Sequence, residues 1–135
     1  MPFVHRIDNI RFGEFDLGGV LYHANYFHLY EEAREAFLRS IGHPYSKIMD
    51  DRAHLAIAEA HQEFLRPVRF GTGFSISLST AELKRSSFRF VYEFSTADQP
   101  LHRAWTRMVY VQDDATGFRP TALPEPLRTS LSALS

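Results

Sequence analysis

Cysteine is absent from this chain of 135 residues. Its absence excludes disulfides, thiolate metal sites and a cysteine nucleophile. An excess of charge of either sign is missing too. The 15 Lys and Arg stand against 16 Asp and Glu, a net charge of −1, so no global basic field points to nucleic acid as a partner. No apolar run approaches the ~20 residues that a membrane-spanning helix needs. No apolar signal-peptide core follows Met1-Pro-Phe-Val-His-Arg6. These absences lead us to expect a cytoplasmic protein without membrane insertion.

What the chain has in plenty is aromatic rings. Phe, Trp and Tyr make up 14% of it, with 12 Phe, and aromatics favour sheet surfaces and interfaces. The hydrophobic fraction of 44% is ordinary for a globular protein. The length suits one domain, residues 1–135, that buries roughly two-thirds of its unfolded surface.

Periodicity orders the elements. Val4 to Phe12 reads as a strand and Gly13 to Ala24 as a loop with adjacent glycines. Tyr26 to Ile41 is the clearest helix: Tyr26, Tyr30, Ala33, Phe37 and Ile41 recur at steps of three or four. Glu31, Glu32, Arg34, Glu35 and Arg39 fall mainly off that face, Asn25 suits the N-cap, and Gly42 with Pro44 suits the stop. Pro44 to Asp51 is a connector with a short helical turn. The period then changes to two. His54 to Leu65, the run Phe74, Ile76, Leu78, the run Phe88, Phe90, Tyr92, Phe94, and Leu101 to Gln112 read as strands, with turns at Pro67 to Gly73, Lys84 to Ser86 and Ala97 to Pro100. The tail from Phe118 looks peripheral. Short turns imply antiparallel neighbours. The expected class is α+β, a curved five-stranded antiparallel sheet with one long helix packed on it.

Chemistry concentrates in Arg11-Phe-Gly-Glu-Phe-Asp-Leu-Gly-Gly-Val-Leu-Tyr-His-Ala-Asn-Tyr26. An acid, Asp16, stands at a strand end. Gly18 and Gly19 free the backbone, and a helix N-terminus opens around His23 to Asn25. An acid, a flexible loop and unpaired helix N–H groups are the parts of an acyl-transfer site. No Gly-x-Ser-x-Gly elbow, Walker motif or dinucleotide fingerprint is present. His23 and His28 are five apart, and His54 and His61 lie seven apart in a strand, so neither pair suits zinc. We expect no metal and no other cofactor.

The segment Phe12-Gly-Glu-Phe-Asp16-Leu-Gly-Gly19-Val-Leu-Tyr-His23-Ala-Asn-Tyr26 resembles the signature of the 4-hydroxybenzoyl-CoA thioesterase family, whose fold is the hotdog, a sheet wrapped around a central helix. Asp16-Leu-Gly-Gly-Val-Leu-Tyr-His23 is especially similar to the Tol–Pal-associated acyl-CoA thioesterases. Ala58 to Gly71 and Ala122-Leu-Pro-Glu-Pro126 are similar to 1,4-dihydroxy-2-naphthoyl-CoA thioesterases. One departure stands out. Many members lead into the glycines with Asp-Thr-Asp, where this chain has Glu14, Phe15 and Asp16. A second hotdog subgroup carries its acid as a Glu in the central helix, but Glu31 and Glu32 lie more than a turn beyond the helix start.

The resemblance implies hydrolysis of an acyl-CoA, short-chain or aromatic, to free acid and CoA. Asp16 is then the catalytic acid, either as nucleophile or as base on water. The backbone at His23 supplies the oxyanion donor, and the His23 ring orients substrate or water. Gly19, Val20, Tyr22, Ala24 and Tyr26 would bind the substrate. Arg66, Arg69, Lys84, Arg85 and Arg89 are candidates for the CoA phosphates, since Arg and Lys suit phosphate. Coenzyme A belongs to the substrate here, and acyl carrier protein is the other possible carrier. Each residue has a plainer reading. Asp16 could be a turn residue, His23 an idle loop histidine, Tyr22 and Tyr26 core rings, and the basic side chains a solvated surface. The competing functions are a non-catalytic acyl-CoA-binding module and an enoyl-thioester hydratase. The resemblance also implies a homodimer with a continuous sheet, with residues Ala56 to Glu63 at the partner's site, and possible pairing into a homotetramer.

Overall fold

In the computed structural model, residues 1–97 and 99–135 are described. The part of the expected Ala97–Pro100 turn at Asp98 lies outside them. The strands are β1 (Phe3–Ile7), β2 (Ala53–Phe64), β3 (Phe74–Ala81), β4 (Ser87–Thr96), β5 (Gln99–Asp114) and β6 (Gly117–Pro120). The helices are α1 (Tyr26–Ser40), α2 (Tyr45–Asp50) and α3 (Glu125–Ser132). The strands form one antiparallel sheet in the order β1-β3-β4-β5-β2, with β6 added on β5. This is the hotdog arrangement, with a short sixth strand beyond the five expected.

The sheet is hydrophobic on the face that α1 covers. Phe74, Ile76 and Leu78 of β3, Phe88, Phe90, Tyr92 and Phe94 of β4, and Ala104, Met108 and Tyr110 of β5 are buried, and their neighbours along each strand are half-buried or exposed. That alternation is the signature of a sheet with one face on the core. Helix α1 answers with Tyr26, Leu29, Tyr30, Ala33, Phe37 and Leu38. Register shifts at Ile57/Glu59 in β2 and at Phe94/Ser95 in β4 mark irregularities of the kind that bend strands.

Three expectations need correction. Arg34 is not off the buried face: it is 5% exposed and sits beneath the helix. Its Nη1 donates to the Tyr92 hydroxyl at 3.0 Å and its Nε to that of Tyr45 at 3.4 Å. Arginine's long stem lets a charged side chain cross an apolar layer to such partners. Second, β2 does not neighbour β3. It pairs with β5 at the opposite edge, so residues 65–73 form a crossing rather than a hairpin turn. Third, the tail is not peripheral. It supplies β6 and α3, and Leu123, Leu127, Leu131 and Leu134 join the core.

Helix α3 is also tied by hydrogen bonds. Thr80 Oγ1 donates to the Leu131 carbonyl at 2.6 Å, and the N-terminal ammonium of Met1 donates to the Ala133 carbonyl at 2.8 Å. Leu131 is fully buried, so Leu131→Ala removes packed atoms and leaves a cavity. The expected loss is about 3 kcal/mol of unfolding free energy, read by urea denaturation. A change near zero would return the tail to the surface.

Candidate active site

The acid lies in a tight hairpin that the sequence builds locally. Phe12–Glu14 makes one 3-10 turn, Phe15 and Leu21 form an antiparallel bridge, and the Asp16 N–H donates to the Val20 carbonyl at 2.9 Å. The Gly19 N–H closes the turn on the Asp16 carbonyl at 3.0 Å. Gly19 has φ +73°, the left-handed region where a side chain is strained. The Asp16 carboxylate folds back on this turn. Its Oδ1 accepts the N–H of Gly18 at 2.8 Å and of Val20 at 3.3 Å. The plain reading of Asp16 as a turn residue is therefore realised in part: all hydrogen bonds to the carboxylate found among the described residues fall on Oδ1.

The chain then enters α1 through a second 3-10 turn, His23–Asn25. Its first backbone bond runs from Asn25 N–H to the Tyr22 carbonyl at 2.9 Å. The N–H groups of His23 and Ala24 precede that bond and have no acceptor within the turn. Asn25 does not cap the helix with its side chain. Its Nδ2 donates to the Glu14 carbonyl at 2.8 Å, which also accepts Tyr22 N–H at 3.2 Å. Asn25 thus pins the helix start to the acid hairpin. The exposed His23 ring lies against Tyr22, with centroids 4.3 Å apart.

A cavity of about 410 Å³ opens between this hairpin, the helix start and the end of β2. Asp16, Val20, Tyr22, His23 and Tyr26 all line it, joined by Phe64 and Arg66. Gly19 and Ala24 lie on the same hairpin and turn but not in its lining. Arg69 lines an adjoining cavity of about 340 Å³ that shares Arg66 and Pro67 with the first. The other basic candidates are elsewhere. Lys84 and Arg85 sit in the β3–β4 turn, far along the sheet from Phe74 and Phe64. Arg89 is held by Glu82 at 2.8 Å and lies over the Trp105 ring at 3.9 Å. Alternation explains its place: β4 turns Arg89 to the outer face, away from the helix. Among the described residues, no group of three or more His, Asp or Glu side chains converges as metal ligands.

The cavity is backed by a polar chain that the sequence did not reveal. Tyr26 stacks on His102 with centroids 4.2 Å apart, and Phe64 meets His102 edge-on at 4.8 Å. Gln62 Nε2 donates to the Tyr30 hydroxyl at 2.8 Å. That hydroxyl is bonded in turn to His102 Nε2. Burial raises the Tyr30 pKa, so the hydroxyl keeps its proton. The other ring nitrogen, His102 Nδ1, is buried without a partner among the described residues. Burial pushes the His102 pKa down to about 4. One signal was available in the sequence: His102 shares the inward phase of β5 with Ala104, Thr106 and Met108.

Comparison with known proteins follows the same lines. A family model described as the thioesterase-like superfamily matches residues 10–131. A protein of Aquifex aeolicus is 34% identical over 128 residues, covering 95% of this chain and 99% of its own. A 1,4-dihydroxy-2-naphthoyl-CoA hydrolase of Synechococcus elongatus is 31% identical over 121 residues, 88% of each chain. Among solved structures, a 1,4-dihydroxy-2-naphthoyl-CoA thioesterase from Synechocystis superposes with a TM-score of 0.86 at 25% identity, covering 99% of this chain and 98% of that one.

His102 makes stability depend on pH in a defined window. Its imidazole titrates near 6.5 when unfolded and near 4 when folded. The unfolded chain therefore takes up a proton first as pH falls. The stability that His102 contributes is fully present above pH ~6.5 and is lost progressively toward pH ~4, by up to about 3 kcal/mol. Urea denaturation from pH 7 to pH 4 should show a steeper decline for the wild type than for His102→Gln. Parallel slopes would remove His102 from the acid response.

Proposed function

The chain belongs to the thioesterase-like superfamily, and from that membership we propose that it hydrolyses an acyl-CoA thioester, with Asp16 as the catalytic carboxylate. One observation carries the reading. A single cavity holds Asp16 beside a helix start at His23 whose first N–H groups are unpaired in the turn. Thioester hydrolysis needs a carboxylate to attack or to activate water, and donors for the oxyanion that forms.

The hairpin divides the labour of the two carboxylate oxygens. Oδ1 is occupied by Gly18 and Val20 N–H groups, which fixes the orientation of the side chain. Oδ2 is left to attack the carbonyl or take a proton from water. The thioester oxygen faces the N–H groups of His23 and Ala24, where the helix dipole favours negative charge. The His23 ring stands at the same cavity wall and orients the substrate.

Tyr22, Tyr26 and Phe64 give the cavity a flat, apolar lining that favours an aromatic acyl group over a short aliphatic one. The naphthoyl substrates named for the relatives are of that kind. Arg66 and Arg69 suit the phosphates of the carrier. A panel of benzoyl, naphthoyl and aliphatic CoA thioesters, read by release of free thiol, ranks the acyl groups.

Assembly completes the reading. Strand β2 is an edge of 12 residues, exposed over most of its length. An edge this long invites pairing with another strand. Two copies joined along β2 in antiparallel fashion would make one continuous sheet. The sheet end bearing Lys84 and Arg85 then faces the cavity of the other subunit. Light scattering should give twice the 15.6 kDa of the monomer, or a multiple of that; a monomer would overturn the edge pairing.

Asp16→Asn is the direct test. Asparagine keeps an oxygen for the Gly18 and Val20 N–H groups, so the hairpin survives. The charge and the nucleophile are lost. Thiol release should fall by about 10²–10⁴-fold with an unchanged melting temperature. Full activity in this variant would sink the mechanism. Saturable binding without turnover in the wild type would favour a binding module. Water addition to a 2-enoyl thioester, with no hydrolysis of a saturated one, would favour a hydratase.

A further inference from the structure

The crossing from β2 to β3 borders both cavities. Arg66 and Pro67 line the two of them, and Arg69 lines the second. The same segment is bonded to the acid hairpin. Leu21 N–H donates to the Val68 carbonyl at 2.8 Å, Phe70 N–H donates to the Gly19 carbonyl at 3.0 Å, and Val20 and Arg69 form an antiparallel bridge. Phe70 closes the contact with its ring. It meets Phe12 at 5.2 Å and Phe15 at 5.3 Å, each edge-on at 81°. Those two rings flank the 3-10 turn that delivers the chain to Asp16.

Phe15 packs against the core, but core packing does not account for the two outer rings. Phe70 is 49% exposed and Phe12 71% exposed, so their burial contributes little to stability. What the rings join is specific: the segment with the two arginines on one side, the turn before the acid on the other.

We propose that Phe70 is a positioning residue that couples carrier binding to the acid: phosphate groups held by Arg66 and Arg69 fix the 66–70 segment, and Phe70 passes that order through Phe12 and Phe15 to Asp16. The proposal rests on the thioesterase reading. Its physical basis is general. Binding energy from a part of the substrate that does not react is spent on orienting the part that does. Such a device shows in kcat, because a substrate without its remote arm is bound and still turned over slowly.

The test compares one acyl group on two carriers: the acyl group fastest in the panel above, offered as its CoA thioester and as its N-acetylcysteamine thioester, which carries no phosphate. In the wild type, kcat should be higher for the CoA thioester. Phe70→Ala should lower the ratio of the two kcat values by about tenfold, the scale set by losing two aromatic contacts. Phe12→Ala should lower it in the same direction, and Phe70→Tyr, which keeps the ring, should retain it. A ratio of one in the wild type overturns the coupling. So does an unchanged ratio in Phe70→Ala, or an equal loss on both thioesters, which marks a merely structural ring. A wild type that releases no thiol from either thioester overturns the thioesterase reading itself, and the coupling with it.

Discussion

One face of α1 lies in the concave aromatic surface of the sheet, and everything at the site depends on that contact. Tyr30 stacks on Tyr92 with centroids 4.6 Å apart, Phe37 meets Phe90 edge-on, and Ala33 leaves room between them. Each buried ring of this kind contributes roughly 2–3 kcal/mol, and pairs in such geometries add about 1 kcal/mol. The helix cannot slide or rotate without exposing them. Its N-terminus is therefore fixed relative to the ends of β2 and β5. Unpaired N–H groups are common to all helix starts. What is particular here is a rigid one, set against the loop that carries the acid.

The same contact surface carries polar groups that an apolar core would omit. Arg34 is buried with tyrosine hydroxyls as its hydrogen-bond partners, and no carboxylate lies within 4.0 Å of it among the described residues. Tyr92 in turn bonds Thr106 at 2.8 Å. His102, Tyr30 and Gln62 form a second chain closer to the cavity. Burying such groups costs free energy unless each is satisfied. Satisfied ones have a directional effect that rings alone do not. They hold Tyr30, and through it the helix, at one rotation over the sheet. Among the described residues the unpartnered His102 Nδ1 is an exception, and it sits behind the wall made by Tyr26 and Phe64.

Periodicity exposed the long helix and the inward face of β4, because both signals come from chain-local alternation of apolar residues. The acid hairpin was legible for a related reason: Asp16, Gly18 and Gly19 act on their own neighbours. What stayed hidden depends on partners distant in sequence. Nothing local says that β2 crosses to pair with β5, since that choice is made by the whole sheet. Arg34 looks like one more charge on a solvated helix face until Tyr45 and Tyr92 supply its partners. Asn25 has the right chemistry for a cap, but the Glu14 carbonyl, eleven residues back, takes its side chain. The tail lacks a long apolar run, yet Leu127 and Leu131, four apart, reach the core together. Within one chain, Lys84, Arg85 and Arg89 lie apart from Arg66 and Arg69 for the same reason. Residue type marks a phosphate ligand, but only topology says which basic residues share a cavity.

Under the proposed mechanism, Asp16 would combine a turn and a reactive group in one side chain. A carboxylate that served the turn with both oxygens would be held too well by N–H donors to act as a nucleophile or base. One left wholly free would have no fixed direction. The hairpin takes the middle course by spending Oδ1 on Gly18 and Val20 and leaving Oδ2 without a bond among the described residues. The glycines matter for this geometry rather than for looseness. Gly19 adopts a left-handed backbone, and a Cβ on Gly18 would stand 3.3 Å from the Asp16 oxygen. A larger residue at position 18 would push the carboxylate away from its own turn. The sequence Asp-Leu-Gly-Gly thus encodes an orientation, and the helix start at His23 gives that orientation a target.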